Sequence, residues 1–204
     1  MRTFIAILLP EVLVTQIERL QRMAQDALEA AGVVRVIRWT PPHNVHLTLR
    51  FLGETDPAQI RSLAARLAEI TQHCLPFALQ LGGLGCFPDY RQPRIVWVGL
   101  QGELPALAGV QGQVEQAAVA QGFAAEARAF QPHLTLGRAQ RDADRAALRL
   151  AGDALRSLAQ TAEAGAQLPA ASLRVAEIVH MRSDLLPAGA EYTPIARFPF
   201  APTS

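Results

Sequence analysis

Lysine is absent from this chain: all 19 basic residues among its 204 are arginine. That absence removes the lysyl-nucleotide intermediate of ATP-dependent ligases, the lysine Schiff base of aldolases and the lysine of a P-loop. The guanidinium group is left to handle phosphate, and its planar fork suits bidentate contacts to phosphate oxygens. Cysteine is scarce as well. Cys74 and Cys86 form no Cys-x-x-Cys pair and stand beside apolar residues, which suits free thiols in a reducing cytoplasm better than a disulfide framework. Net charge is small, formally +1 with histidine neutral. No global field therefore draws the chain to a polyanion, and any anion site must be built locally from arginines. There is also no long apolar run: residues 1–9 form one short hydrophobic segment stopped by Pro10 and a charged amphipathic stretch. Such a segment reads as a first strand, not as a signal or membrane span, and a cytoplasmic location is expected.

What the chain does have is a repeat. His-Leu-Thr-Leu occurs at 46–49 and again at 133–136, 87 residues later. In a strand successive side chains alternate between faces, so each copy shows His and Thr on one face and anchors itself by two leucines on the other. Both copies closely follow prolines, Pro41-Pro42 and Pro132, and both precede an arginine, Arg50 and Arg138. Two such strands facing one cleft would bring together two imidazoles and two hydroxyls, the groups needed for acid-base chemistry on a phosphate ester.

Hydrophobic periodicity places the copies in similar surroundings. Strands are predicted over 3–9, 33–39 and 45–51, with a helix opened by Pro10 whose apolar face is Ile17, Leu20, Met23, Ala27 and Leu28 and which Gly32 stops. Asp56-Pro57 starts a second helix with the stripe Ile60, Leu63, Leu67 and Ile70. A strand over 77–81, a glycine-rich turn, a loop over 88–94 and a strand over 95–100 follow. The pattern then recurs: a helix through Leu104, Leu107, Val110 and Val114 to Gly122, a weak strand over 123–129, and the second copy over 133–138. A helix over 142–160 broken near Gly152, a loop over 162–171, and strands over 173–182 and 192–198 complete the chain. No low-complexity linker interrupts it. The expectation is one α+β domain, residues 1–204, of two related lobes with antiparallel sheets.

Other chemistries find less support. A zinc site needs three or four ligands, and only His43 and His180 could join His46 and His133, with no HExxH frame. No serine stands in a nucleophile-elbow frame, and His73 falls at the polar end of a helix. No metal and no cofactor are expected.

The frames 44–53, Asn-Val-His-Leu-Thr-Leu-Arg-Phe-Leu-Gly, and 132–138, Pro-His-Leu-Thr-Leu-Gly-Arg, resemble the paired HxTx motifs of the two-histidine phosphoesterases. The similarity is nearest to the RNA 2′,3′-cyclic phosphodiesterases, once called 2′-5′ RNA ligases. It extends to Phe4-Ile5-Ala6, Gly83-Leu84-Gly85 with Phe87-Pro88, Val96-Trp97-Val98-Gly99, and Tyr192-Thr193-Pro194 with 196–199. This resemblance implies a bilobal fold of pseudo-twofold symmetry, two antiparallel sheets flanked by helices with the active cleft between them. It implies His133 as proton acceptor, His46 as proton donor, Thr48 and Thr135 as ligands of phosphate oxygens, Arg138 as the neutraliser of phosphoryl charge, and Phe51 as a base-stacking aromatic. In a regular strand Arg138 and Phe51, each five residues after a histidine, would point away from the cleft. Either a bulge at Gly137 turns Arg138 back or Arg138 reaches round the strand edge, and Phe51 is either core or cleft.

The reaction so implied is metal-independent opening of a 2′,3′-cyclic phosphate on RNA or a nucleotide to a 2′-phosphate, with 2′-5′ ligation of RNA halves as its reverse. The modest charge suits an RNA terminus as partner better than a wrapped RNA, and a monomer is expected. Two alternatives stand beside it: the same mechanism on a small cyclic phosphate such as ADP-ribose 1″,2″-cyclic phosphate, and a nucleotide- or RNA-binding module without turnover.

Overall fold

The computed structural model describes residues 1–165, 172–186 and 189–202. In chain order the elements are β1 (Arg2–Leu8), α1 (Glu11–Ala30), β2 (Ile37–Trp39), β3 (His46–Glu54), α2 (Pro57–Thr71), β4 (Phe77–Phe87), β5 (Ile95–Gly102), α3 (Leu104–Ala120), β6 (His133–Ala139), α4 (Arg145–Gly165), β7 (Ser172–Val175), β8 (Glu177–Leu186) and β9 (Gly189–Pro199).

Local chemistry sets most of these boundaries. α1 starts directly after Pro10 and buries Leu13, Ile17, Leu20, Ala24 and Leu28, a stripe at spacings of three and four. α2 opens with a capping box: the Asp56 carboxylate accepts from the backbone of Ala58 and Gln59, and the Asp56 amide donates to the Gln59 side chain. β1 is apolar without alternation because both of its faces are covered. Ile5 and Ile7 enter the main core, while Phe4 and Ala6 join Val179 and Met181 in a smaller cluster on the other side.

The strands form one continuous antiparallel sheet in the order β7-β4-β5-β6-β3-β1-β8-β9, with β2 added to β6. Its two halves, β6-β5-β4-β7 and β3-β1-β8-β9, join through a single residue pair, Leu47 with Leu134, the first leucine of each repeat. α1 packs on α4 beneath one half, and α2 packs on α3 beneath the other. The strands β4 to β7 of one half follow one another in the chain, whereas the other half takes β1 and β3 from its start and β8 and β9 from its end.

Several expectations are corrected. The strand over 33–39 shrinks to Ile37–Trp39 because Arg35 takes a positive φ of 62°. β4 runs straight through its glycines: the register against β5 slips between Leu81 and Leu84, and a Cβ on Gly85 would lie 2.2 Å from the Trp97 ring. The stretch 123–129 is not a strand. α4 is not broken at Gly152 and continues through 162–165, while 166–171 lie outside the described residues. Gly152 is required for another reason, since its Cβ would stand 1.6 Å from the carbonyl oxygen of Tyr90, whose loop lies against the helix. The strand over 173–182 divides at Ala176, β7 joining the β4 edge and β8 joining β1.

Candidate active site

The Leu47–Leu134 pair sets the two repeats head to tail across the join between the lobes. In that register Thr48 stands across from His133, and His46 from Thr135, on the face opposite the leucines. Hydrogen-bonded pairing between β3 and β6 goes no further. Both His/Thr pairs are half-buried and line one cleft of about 770 Å³.

Each imidazole is fixed in the same way. His46 Nδ1 lies 2.7 Å from the carbonyl oxygen of Asn44, and His133 Nδ1 lies 2.7 Å from that of Gln131. A carbonyl only accepts, so both Nδ1 atoms carry hydrogen and both Nε2 atoms are left for a ligand. Asn44 is tied down in turn, its Nδ2 donating to the Ala190 carbonyl at 3.1 Å. Aromatic rings wall each histidine: Phe4 stacks on His46 at 4.7 Å with Tyr192 edge-on at 5.1 Å, and Phe87 meets His133 edge-on at 5.0 Å. Burial among these groups pushes both histidines below the ordinary value of 6.5. The backbone hydrogen bonds oppose that shift, and the nearby Arg138 cation adds to it.

Bulges answer the question of parity, and they fall at the same place in both repeats. On β3, Thr48 pairs with Ala6 and Arg50 with Ile5, leaving Leu49 as the extra residue. On β6, Thr135 pairs with Trp97 and Gly137 with Val96, leaving Leu136 extra. The added residue inverts the alternation, so the residue five after each histidine returns to its face. Arg138 is thereby exposed in the cleft, and Phe51 is 57% exposed with its ring 5.7 Å from Phe4. Phe51 is cleft, not core. The two occupy matching positions, so the duplicated frame offers one aromatic and one cationic group. Gly137 is needed beside the bulge because a Cβ there would lie 2.7 Å from Ile37 and 3.1 Å from the Arg38 carbonyl.

The same inversion turns Arg50, which strict alternation would set beside His46 and Thr48, to the other face of β3, where it still borders the cleft. Arg50 pairs with Ile5 on the helix-facing side and is only 7% exposed. Its guanidinium forms ion pairs with Glu115 at 2.7 Å and Glu126 at 3.4 Å and donates to the Ala124 carbonyl. Glu115 also accepts from the Glu126 amide at 2.9 Å. Arg50 therefore anchors the loop that brings Arg128 and Phe130 to the cleft wall. It has no counterpart in the second repeat, where Gly137 stands at its position. Arg94 and Tyr192 also line the cleft; neither lies in the repeat, and no periodic pattern marks them. His180 is fully buried, and it does not line the cleft. Among the described residues no group of three or more His, Cys, Asp or Glu is placed to hold a metal ion.

Residues 7–97 match the family described as LigT like phosphoesterase. The chain is 32% identical over 199 residues to the RNA 2′,3′-cyclic phosphodiesterase of Methanothermobacter thermautotrophicus, with 97% of each chain covered. It is 37% identical over 120 residues to the protein of that name from Aeropyrum pernix, covering 59% of this chain and 65% of the other. Its fold matches a crystal structure from Thermus thermophilus with a TM-score of 0.72 and 26% identity, at 98% coverage of both chains. Escherichia coli LigT, crystallised with 3′-AMP, shares the fold at a TM-score of 0.71 and 24% identity, covering 98% of this chain and 97% of that one. Likeness over nearly the whole length of a relative, joined to two matching histidine strands on one cleft, shows that this chain belongs to the LigT-like phosphoesterases of the two-histidine superfamily.

Proposed function

We propose that this protein hydrolyses the 2′,3′-cyclic phosphate at an RNA terminus to a 2′-phosphate. Cyclic phosphodiester hydrolysis is the reaction that the names of its relatives carry. The observation that carries the reading for this chain is the pair of imidazoles, each held through Nδ1 by the carbonyl two residues upstream, with both Nε2 atoms free for substrate.

Water attacks phosphorus as the bond from phosphorus to O3′ breaks. His133 Nε2 takes the proton from the water, and His46 Nε2, protonated at the outset, gives its proton to O3′. The hydroxyls of Thr48 and Thr135 donate to the non-bridging oxygens, and Arg138 offsets the charge that develops on them. Phe51 supports the base by stacking. A 5′-hydroxyl in place of water attacks the same phosphorus, gives its proton to His133 and displaces O3′, which takes the proton of His46; the product is a 2′-5′ linkage, made with neither lysine nor ATP. No metal has a part in this reading, since the imidazoles supply both proton transfers and Arg138 the countercharge. One copy of the chain, residues 1–204 acting as a single two-lobed unit, suffices, and the free thiols of Cys74 and Cys86 suit the cytoplasm.

The test is an oligoribonucleotide ending in 2′,3′-cyclic phosphate, incubated with the protein in EDTA beside His46→Ala and His133→Ala. Conversion to the 2′-phosphate by the parent is expected, with each variant slower by about 10²-fold or more. Conversion of ADP-ribose 1″,2″-cyclic phosphate in preference to the oligonucleotide would replace RNA as the substrate. Retained RNA binding with no turnover of either would leave a binding module.

A further inference from the structure

Beyond Pro88, which lines the catalytic cleft, lies a second hollow of about 780 Å³ between the loop 89–92 and the outer face of α4, and Pro88 lines that hollow too. Four arginines wall it, Arg91, Arg145, Arg149 and Arg156, against two carboxylates, Asp89 and Asp153. The whole chain balances 19 basic residues with 18 acidic ones, so this is a local cationic surplus adjoining the cleft. All four arginines are exposed. Among the described residues Arg91, Arg145 and Arg149 enter no ion pair. The Asp89 carboxylate is engaged locally, accepting from the Arg91 and Gln92 amides at 2.7 and 3.2 Å.

The hollow is a built feature. Residues 145, 149, 153 and 156 recur at helical spacing and run about 16 Å along the axis of α4. The opposite wall is fixed by Tyr90, whose carbonyl lies where a side chain on Gly152 would be and whose hydroxyl donates to Leu84 at 2.6 Å. Arg156 stands 5.5 Å over the Tyr90 ring. From this groove the arginine path continues past Pro88 to Arg94 and Arg138 in the cleft.

We propose that the groove holds the phosphodiester backbone of the nucleotides that precede the reacting terminus, so that the protein selects an RNA strand end over a free cyclic nucleotide. This inference rests on the function proposed above. Exposed guanidinium groups on a helix read backbone charge and not sequence, so preference for length without preference for base is expected. Each neutralised phosphate of a single strand contributes about 0.7 to the slope of log affinity against log salt. Two arginines therefore account for about 1.4 of slope, or about sevenfold in affinity between 50 and 200 mM salt.

The test uses a labelled eight-nucleotide RNA ending in 2′-phosphate, which does not react further, with a 2′-phosphorylated mononucleotide as competitor. Fluorescence anisotropy across that salt range compares the parent with Arg145→Gln/Arg149→Gln. The double variant is expected to bind the oligonucleotide several-fold more weakly at 50 mM, with a salt slope flatter by about 1.4 and mononucleotide affinity unchanged. Asp153→Asn is expected to bind the oligonucleotide more tightly than the parent, a gain that misfolding does not imitate. Equal oligonucleotide affinity and slope in parent and double variant would overturn the proposal. So would a loss shared equally by the mononucleotide. Turnover of an oligoribonucleotide ending in 2′,3′-cyclic phosphate reads the proposed function separately: its absence from the parent counts against that function and leaves the binding result to decide the groove.

Discussion

Replacing Gly152 with alanine sets two effects of opposite sign against each other. Inside a helix that change ordinarily stabilises by about 1 kcal/mol, because glycine spends more backbone entropy on folding. Gly109, in α3 with nothing within 4 Å of its Cβ position, is the matched control. At Gly152 the new methyl group would lie 1.6 Å from the Tyr90 carbonyl oxygen and 2.7 Å from its carbon. An ordinary contact needs the loop backbone to retreat by roughly 2 Å, since close-packed carbon and oxygen atoms sit about 3.5 Å apart. Overpacking of this kind costs about 1–3 kcal/mol. Retreat also endangers the Tyr90–Leu84 hydrogen bond, worth about 1 kcal/mol, and the Arg156 contact on the Tyr90 ring, worth about 0.5–1 kcal/mol. Set against the helix gain, the net expectation is a loss of about 1.5–4 kcal/mol for Gly152→Ala and a gain of up to about 1 kcal/mol for Gly109→Ala. Urea unfolding of parent and both variants, analysed at constant slope, measures the difference. The loop carries one wall of the arginine groove and Pro88 of the cleft, so KM for the oligonucleotide should rise in Gly152→Ala alone. Equal stability of the two variants would refute the packing argument, and with it the fixed wall of the groove.

Two further predictions concern protons. His46 and His133 are both held below 6.5; the base must be neutral and the acid protonated, so both limbs of the pH profile of kcat/KM should fall on the acid side of that value. Arg138→Gln removes a cation that presses both groups down, and should move both limbs toward alkaline pH while slowing turnover by about a hundredfold; a parent profile with both limbs above pH 6.5 would contradict this. His180 is fully buried on β8, neither ring nitrogen has a hydrogen-bond partner among the described residues, and burial pushes it down to about 4. The unfolded chain, with histidine near 6.5, takes up the proton first, so stability present above pH 6.5 drains as pH falls toward 4, by up to about 3 kcal/mol. His180→Leu should lose less stability than the parent between pH 7 and pH 4.5 in urea unfolding, and parallel losses would refute it.

The sequence by itself determined the local rules. Alternation within His-Leu-Thr-Leu put His and Thr on one face, Asp56-Pro57 started a helix, and Pro10 preceded a helix that buries Ile17, Leu20 and Leu28 as expected, with Leu13 and Ala24 buried in place of the expected Met23 and Ala27. These are short-range effects, complete within a few residues, so they can be read without the rest of the chain. Glycine was the misleading signal. Runs that read as a turn at 82–85 and a helix break at 152 mark instead where Trp97 and Tyr90 come close, and a partner distant in sequence leaves no local trace. The strand expected over 173–182 divides for a similar reason, because β7 and β8 pair with different strands. Only the tertiary structure decided which side chains share the cleft. The bulges at Leu49 and Leu136 bring Phe51 and Arg138 round to the histidines and send Arg50 to Glu115. Whether a strand gains a residue depends on the register of the strand beside it, and that register is set by packing across the whole sheet.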